Sequence, residues 1–329
     1  MRKVLVGAVQ PAEITTSSIY RWDDSSYNPD PDAIIENCIL PQAEVTFGLL
    51  EQAGEAGVDI VTTSEDISGT NSYLLDTSKN NVFPELVTRT THIFEERLSD
   101  IAKKYNMNIA ANYFKKYGDK VYNVSPIFDR KGELVGEQRK IHLPCNESLQ
   151  VIGGDEIKVF DLDIGTVGVL ICYDIMFPAM GEVLSLLGAE IVFHPTNGYG
   201  WYESIGEATL RTRASDGSYY LVTAKDYRYN APGKSSVIDY WGHVMVDAGY
   251  QPDVIVTAQL DLDIAKAQPD WFIQSGLSGQ PDMRLRHDSE RRPELYGKLC
   301  KPPANRYKVP SLTEQERFRE KFKNNIYRW

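Results

Sequence analysis

Glu65, Lys140 and Cys172 each stand directly after a run of residues that reads as a β-strand. In open α/β sheets, ligands gather outside the carboxyl ends of the strands. One pocket therefore holds a carboxylate, an ammonium and a thiol if the sheets bring these three ends together. That combination suits nucleophilic acyl chemistry. A free thiol has a pKa near ~8.5, so little of it is thiolate at neutral pH. A carboxylate in contact accepts the thiol proton as attack begins. A nearby lysine favours the thiolate and stabilises negative charge on the attacked group. The backbone N–H of Tyr173, next in the turn, can complete the anion site, and one such donor contributes ~3–4 kcal/mol to a transition state.

Each residue also has a plainer use. Cysteine is often core, and lysine is usually a solvated charge. Glu65 can cap a turn, and Asp66 beside it is an alternative acid. His142 and His194 read as packed polar residues rather than bases. Asp174 stands where a turn needs its N–H groups capped. Cys145 lies close after Lys140 without visible activation. Tyr199, Trp201 and Tyr202 suit either a pocket wall or a dimer contact.

The nucleophile candidate is positioned by the stretch Thr166 to Pro178. Val167 to Ile171 is an apolar run of buried-strand type. Pro178 suits the first turn of a helix, and Gly188 suits its stop. Cys172 thus falls on a strand-to-helix turn, where N–H groups can face an anion. The other carriers are strands over 58–64, ending at Glu65, and over 133–139, ending at Lys140. Further strands are expected over 4–10, 107–114, 121–129, 157–163, 189–195, 219–224, 235–240, 243–247 and 253–263. Helical spacing covers 43–56, 84–105 and 203–216. Residues 11–40 show no clear period and read as a surface excursion. The order β, α, β, α, meander, then β, α, β, α and strands suits two sheets packed face to face with helices outside. One domain over 1–265 is expected, with 266–329 as a charged, proline-punctuated extension.

Composition narrows the class. Hydrophobic residues at 42% suit a globular chain of 329 residues. A net charge of −11 offers no footprint for nucleic acid and disfavours anionic membranes. No stretch approaches the ~20 apolar residues that span a bilayer. Met1 to Gln10 lacks signal-peptide length. The four cysteines show no CxxC spacing, which leaves disulfide and zinc readings weak and makes a reducing cytoplasm the expected location.

Glu65, Arg139-Lys-Ile-His-Leu-Pro144 and Cys172-Tyr-Asp174 with Phe177-Pro178 together resemble the nitrilase superfamily of carbon–nitrogen hydrolases. Gly188-Ala-Glu-Ile-Val, Pro195-Thr196, Arg213-Ala214 and Arg291-Arg-Pro-Glu-Leu-Tyr296 add to the likeness, which spans roughly 3–263 plus the tail motif. The resemblance implies a four-layer α-β-β-α sandwich of two mixed sheets. It implies that Cys172 forms a thioester, and that Glu65 serves as base, then acid, then base for water. Lys140 and the Tyr173 amide would hold the oxyanion, and Glu147 would help orient the site. It further implies a small amide substrate, no cofactor or metal, and at least a homodimer, with 266–329 as the dimerisation arm. Nitrilases of the family usually carry Trp-Glu after the cysteine, whereas this chain has Tyr173-Asp174. Carbamoyl hydrolases commonly place arginine where Ile175 and Met176 stand. Most members have glutamate where Ala179 stands. The amidase-like branch fits best. A nitrilase, an N-carbamoyl hydrolase and a catalytically idle binding or assembly module remain the alternatives.

Overall fold

The computed structural model describes residues 2–13, 29–74, 80–144, 147–198, 203–227, 234–263 and 290–301. The chain divides into the units Met1–Ser289 and Glu290–Trp329. The described part of the second holds a short 3-10 turn, Pro293–Leu295.

The first unit carries two sheets. One contains β1 (Lys3–Gln10), β2 (Ile60–Thr62), β3 (Asn108–Ala110), β4 (Tyr113–Tyr117), β5 (Lys120–Phe128), β6 (Leu134–Arg139) and β13 (Val254–Asp261). Its order is β13-β1-β2-β3-β5-β4, with β6 paired to β5. The other contains β7 (Val159–Leu162), β8 (Gly165–Val169), β9 (Ile191–Thr196), β10 (Tyr220–Lys225), β11 (Ser236–Ile238) and β12 (Val244–Asp247), in the order β12-β11-β10-β9-β8-β7. Both are mixed. β1, β2 and β3 run parallel, as do β8, β9 and β10, while the outer strands are antiparallel.

Strand alternation builds the layers. Val4, Val6 and Ala8 of β1 meet Ile191 and Phe193 of β9 in a core between the sheets. Val9 faces the other way, toward α2 (Leu40–Glu55) and α3 (Phe83–Tyr105). Val192 of β9 likewise faces α4 (Pro178–Leu186) and α5 (Glu203–Gly217). The result is helix, sheet, sheet, helix, as expected for two face-to-face sheets.

Two expectations are corrected. The segment up to residue 40 is not all surface excursion. Beyond the undescribed 14–28, it is helical from α1 (Pro31–Ile34) through a π-helical turn, Ile35–Ile39, into α2. Asp30 starts the helix by accepting from the N–H groups of Asp32 and Ala33. Pro41 lacks an N–H and crowds the preceding turn, and the wider π turn directly before it absorbs this. The single strand expected over 107–114 is two. It breaks at Asn112, whose side chain leaves the ladder to accept from the Asp66 N–H at 2.8 Å. That break serves the site.

Candidate active site

Three strand ends converge. Glu65 follows β2, Lys140 follows β6, and Cys172 opens a 3-10 turn, Cys172–Met176, after β8. Lys140 Nζ lies 2.7 Å from Glu65 Oε1 and 2.6 Å from Glu147 Oε2. The ammonium is only 2% exposed. The Cys172 thiol lies close enough to the Glu65 carboxylate, the Lys140 ammonium and the Thr196 hydroxyl to be influenced by all three. All four side chains singled out in the sequence are thus brought together. The N–H of Tyr173 lies in the first turn of the short helix, where helical geometry supplies no acceptor.

The carboxylates are held by groups that sequence reasoning missed. Asn123 Nδ2 donates to Glu65 Oε1 and to Glu147 Oε1, both at 2.9 Å. Asn112 Nδ2 in turn donates to Asn123 Oδ1 at 2.9 Å. The backbone N–H of Asn197 donates to Glu65 Oε2 at 3.0 Å. A signal was present. Asn123 stands inside β5 and is buried, and asparagine is disfavoured in strands unless its amide is used.

Burial and charge oppose one another across this cluster. Burial disfavours the Lys140 cation, but Glu65 and Glu147 outweigh it and hold the ammonium well above its usual pKa. Burial lifts Glu65, yet the Lys140 charge and hydrogen bond win and hold it below the carboxylate range. Glu147 stays above that range, because burial and the Glu65 charge together exceed what Lys140 offers. One ammonium therefore faces one firmly ionised carboxylate and a second that more readily keeps its proton.

The cysteine differs from the sequence expectation in one respect. Lysine does favour its thiolate, but burial first, and then the Glu65 charge, push the Cys172 thiol up to about 12. The thiol is therefore protonated at rest, with the Glu65 carboxylate as the neighbouring acceptor for its proton. Cys172 also sits at φ 46°, in the left-handed region. Such a conformation costs a non-glycine residue about 1–3 kcal/mol and persists only where surroundings enforce it. Asp174 supplies enforcement. Its Oδ2 accepts from the Ile171 N–H at 3.2 Å, and its Oδ1 from the His142 N–H at 2.8 Å. Asp174 thereby ties the lysine loop to the nucleophile turn, a capping task of the expected kind.

The competing candidates find other work. Asp66 accepts from the Ser68 hydroxyl and the Asn71 N–H, both at 2.6 Å, and is turned into its own loop. Burial pushes it up to about 6. His142 stacks on Phe177 with ring centroids 3.6 Å apart. His194 Nε2 lies 3.2 Å from the Cys172 carbonyl and holds the turn from below. Cys145, Tyr199, Trp201 and Tyr202 lie outside the described residues.

Burial pulls His194 down to about 4 from 6.5. A base with a depressed folded pKa contributes stability above its unfolded pKa and loses it on acidification. Stability should therefore fall between pH 6.5 and 4, by about 3 kcal/mol at most from this residue. Denaturant unfolding of wild type and His194→Gln across that window checks this. The variant should show the shallower fall, and equal slopes would assign the pH dependence elsewhere.

Two facing mixed sheets between helix layers, with a thiol, a carboxylate and an ammonium gathered at their strand ends, define the class of α-β-β-α hydrolase scaffold. The chain matches the carbon-nitrogen hydrolase family over residues 44–270 and belongs to that family. It is 28% identical to the omega-amidase NIT2 of Bos taurus over 235 residues, covering 65% of this chain and 81% of that protein. It is 31% identical to the deaminated glutathione amidase of Dictyostelium discoideum over 192 residues, covering 51% and 65% respectively. Among solved structures, it shares its fold with a carbon-nitrogen hydrolase from Helicobacter pylori G27. The TM-score is 0.71 at 20% identity, covering 91% of this chain and 99% of that one.

Proposed function

We propose that this protein is an amidase that hydrolyses a small amide through a thioester on Cys172. The observation that carries this reading is the buried Lys140 ammonium bonded to both Glu65 and Glu147, with the Cys172 thiol near enough to Glu65 for each to shift the other's proton affinity. The names of the relatives support an amide as the substrate class.

The steps balance as follows. Sγ attacks the amide carbon while its proton passes to Glu65. The carbonyl oxygen becomes negative between Lys140 Nζ and the Tyr173 N–H. Collapse breaks the C–N bond as Glu65 returns the proton to nitrogen, so ammonia leaves and the thioester remains. Glu65 then takes a proton from water, whose oxygen attacks the thioester and releases the acid and the thiol. Glu147, bonded to Lys140 and held by the same Asn123 amide as Glu65, keeps the ammonium in place.

Ammonia release from a panel of small amides, nitriles and N-carbamoyl compounds tests the assignment. Release from amides above the other two classes is expected. Preference for nitriles or carbamoyl compounds would move the protein to those branches, and no ammonia from any compound would favour an idle binding module. A homodimer belongs to the same proposal, with 266–329 as its arm. Met176, Leu186 and Leu187 leave apolar surface exposed around α4, which fits a covered face. Sedimentation at micromolar concentration should give the mass of a dimer, and a monomer would contradict it.

A further inference from the structure

We propose that Asn123, locked in orientation by Asn112, is a positioning residue that occupies one oxygen of Glu65 and so reserves the other for the thiol proton, an inference that rests on the amidase reading for the roles of Cys172 and Glu65 and deepens it.

Asn123 stands inside β5 and is 1% exposed. Its Nδ2 carries two hydrogens, and they go to two acids, Glu65 Oε1 and Glu147 Oε1. Glu65 Oε1 also accepts from Lys140 Nζ at 2.7 Å. A carboxylate oxygen has two lone pairs, so Oε1 is filled. Glu65 Oε2 accepts from the Asn197 N–H and, among the hydrogen bonds of the described residues, keeps a lone pair. The proton that leaves Cys172 is therefore received on Oε2, and Asn123 is what closes Oε1.

The amide is held against turning over. Asn123 Oδ1 accepts from Asn112 Nδ2 at 2.9 Å. A flipped amide would set Oδ1 against two carboxylates and Nδ2 against the Asn112 NH₂ group, which is repulsive at both ends. Asn112 is itself fully engaged. Its Nδ2 also donates to Ser125 Oγ at 3.2 Å, its Oδ1 accepts from the Asp66 N–H, and its own N–H donates to Thr63 Oγ1 at 3.0 Å. Thr63 and Asp66 bracket Glu65 on the chain. One asparagine thus fixes both the segment that carries the base and the amide that aims it. The Asn123 carbonyl accepts from the Lys140 N–H at 2.9 Å, which sets the ammonium on the same frame.

Hydrogen bonds to an ionised carboxylate favour its ionised form. Without the Asn123 donor, Glu65 and Glu147 take up protons at higher pH, and Oε1 opens as a second place for them. Proton transfer from Cys172 then fails progressively as pH falls. The titratable groups that face Glu65 are Lys140, Glu147 and Cys172, with Asp66 beside it and His194 beneath the turn. All of them remain in an Asn123 variant, so a difference between the two proteins reads the amide.

The acid limb is measured in wild type and in Asn123→Leu, which fills similar space without donors. It is read in kcat/KM for ammonia release, and in the rate at which iodoacetamide alkylates Cys172, followed on the Cys172 peptide. The variant should lose about 10- to 100-fold more at pH ~5 than at pH ~8 in both readouts. A loss equal at every pH, or a lower Tm with an unmoved limb, would overturn the inference and leave a packing role. Asn112→Ser touches neither carboxylate but releases the Asn123 amide. It should move both limbs the same way by less, and it decides the matter if the leucine variant does not fold. Ammonia release with both limbs unmoved in the variants sinks only this inference. Absence of ammonia from every amide sinks the amidase reading, and the alkylation limb then still decides whether Asn123 aims the base.

Discussion

Replacing Cys172 by alanine should reduce amide turnover by about 10⁴- to 10⁶-fold while leaving the fold intact. The size follows from the absence of a substitute. Without sulfur there is no thioester, and Glu65 can only activate water against an unactivated amide. His142 and His194 cannot replace it, because the first is stacked on Phe177 and the second is buried beneath the turn on the Cys172 carbonyl. The fold should survive because the turn is held by Asp174 rather than by sulfur. Alanine tolerates the left-handed φ no worse than cysteine does. Ammonia release and the unfolding midpoint are the two readouts. Turnover within tenfold of wild type would remove Cys172 from the mechanism, and an unfolded variant would show that the thiol contacts also hold the turn.

Lys140→Met should be the most destabilising change of similar size in the site. Lys140 is 2% exposed and bonds two buried carboxylates. Breaking a buried ion pair by removing one partner costs about 3–5 kcal/mol, because uncompensated charge stays behind. Here two carboxylates, both bonded to Asn123, would be left without a cation. Burial and mutual repulsion would then raise both their pKa values. A carboxyl with a raised folded pKa stabilises the fold below its unfolded value, and that stability disappears as pH rises. The variant should therefore be weakest at neutral pH and recover towards pH ~4.3, the ordinary glutamate range. Wild-type Glu65, whose pKa is lowered, has the opposite dependence. The stability gap between the two proteins should close on acidification. A constant gap, or none at neutral pH, would show that the ammonium is not the counter-charge described. Where the variant folds, loss of one oxyanion donor predicts a further fall in kcat of about 10²–10³.

The reactive residues and their carriers were legible in the sequence because each lies next to a strongly patterned element. The apolar run before Cys172, the strand before Lys140 and the helix starting at Pro178 all follow from local spacing. The layering was also legible, since two β, α, β, α halves admit few arrangements. The helix around Pro31 and Pro41 was not, because proline normally stops helices and a π turn has no sequence period of its own. The break at Asn112 was hidden for a related reason. It is caused by a hydrogen bond to Asp66, 46 residues away in sequence. Asn123 and Thr196 were missed because their partners are tertiary. The further rise of the Cys172 pKa could not be read either, since it depends on how deeply the sulfur is placed beside Glu65.

Acid quenching during turnover of an amide, followed by intact-mass and peptide mass spectrometry, tests the acyl-enzyme directly. The expected product is protein heavier by the substrate minus ammonia, with the added mass on the peptide containing Cys172 and absent from Cys172→Ala. Ammonia released at full rate with no adduct, or with the adduct on another residue, would contradict the proposed convergence of thiol, carboxylate and ammonium on one acyl group.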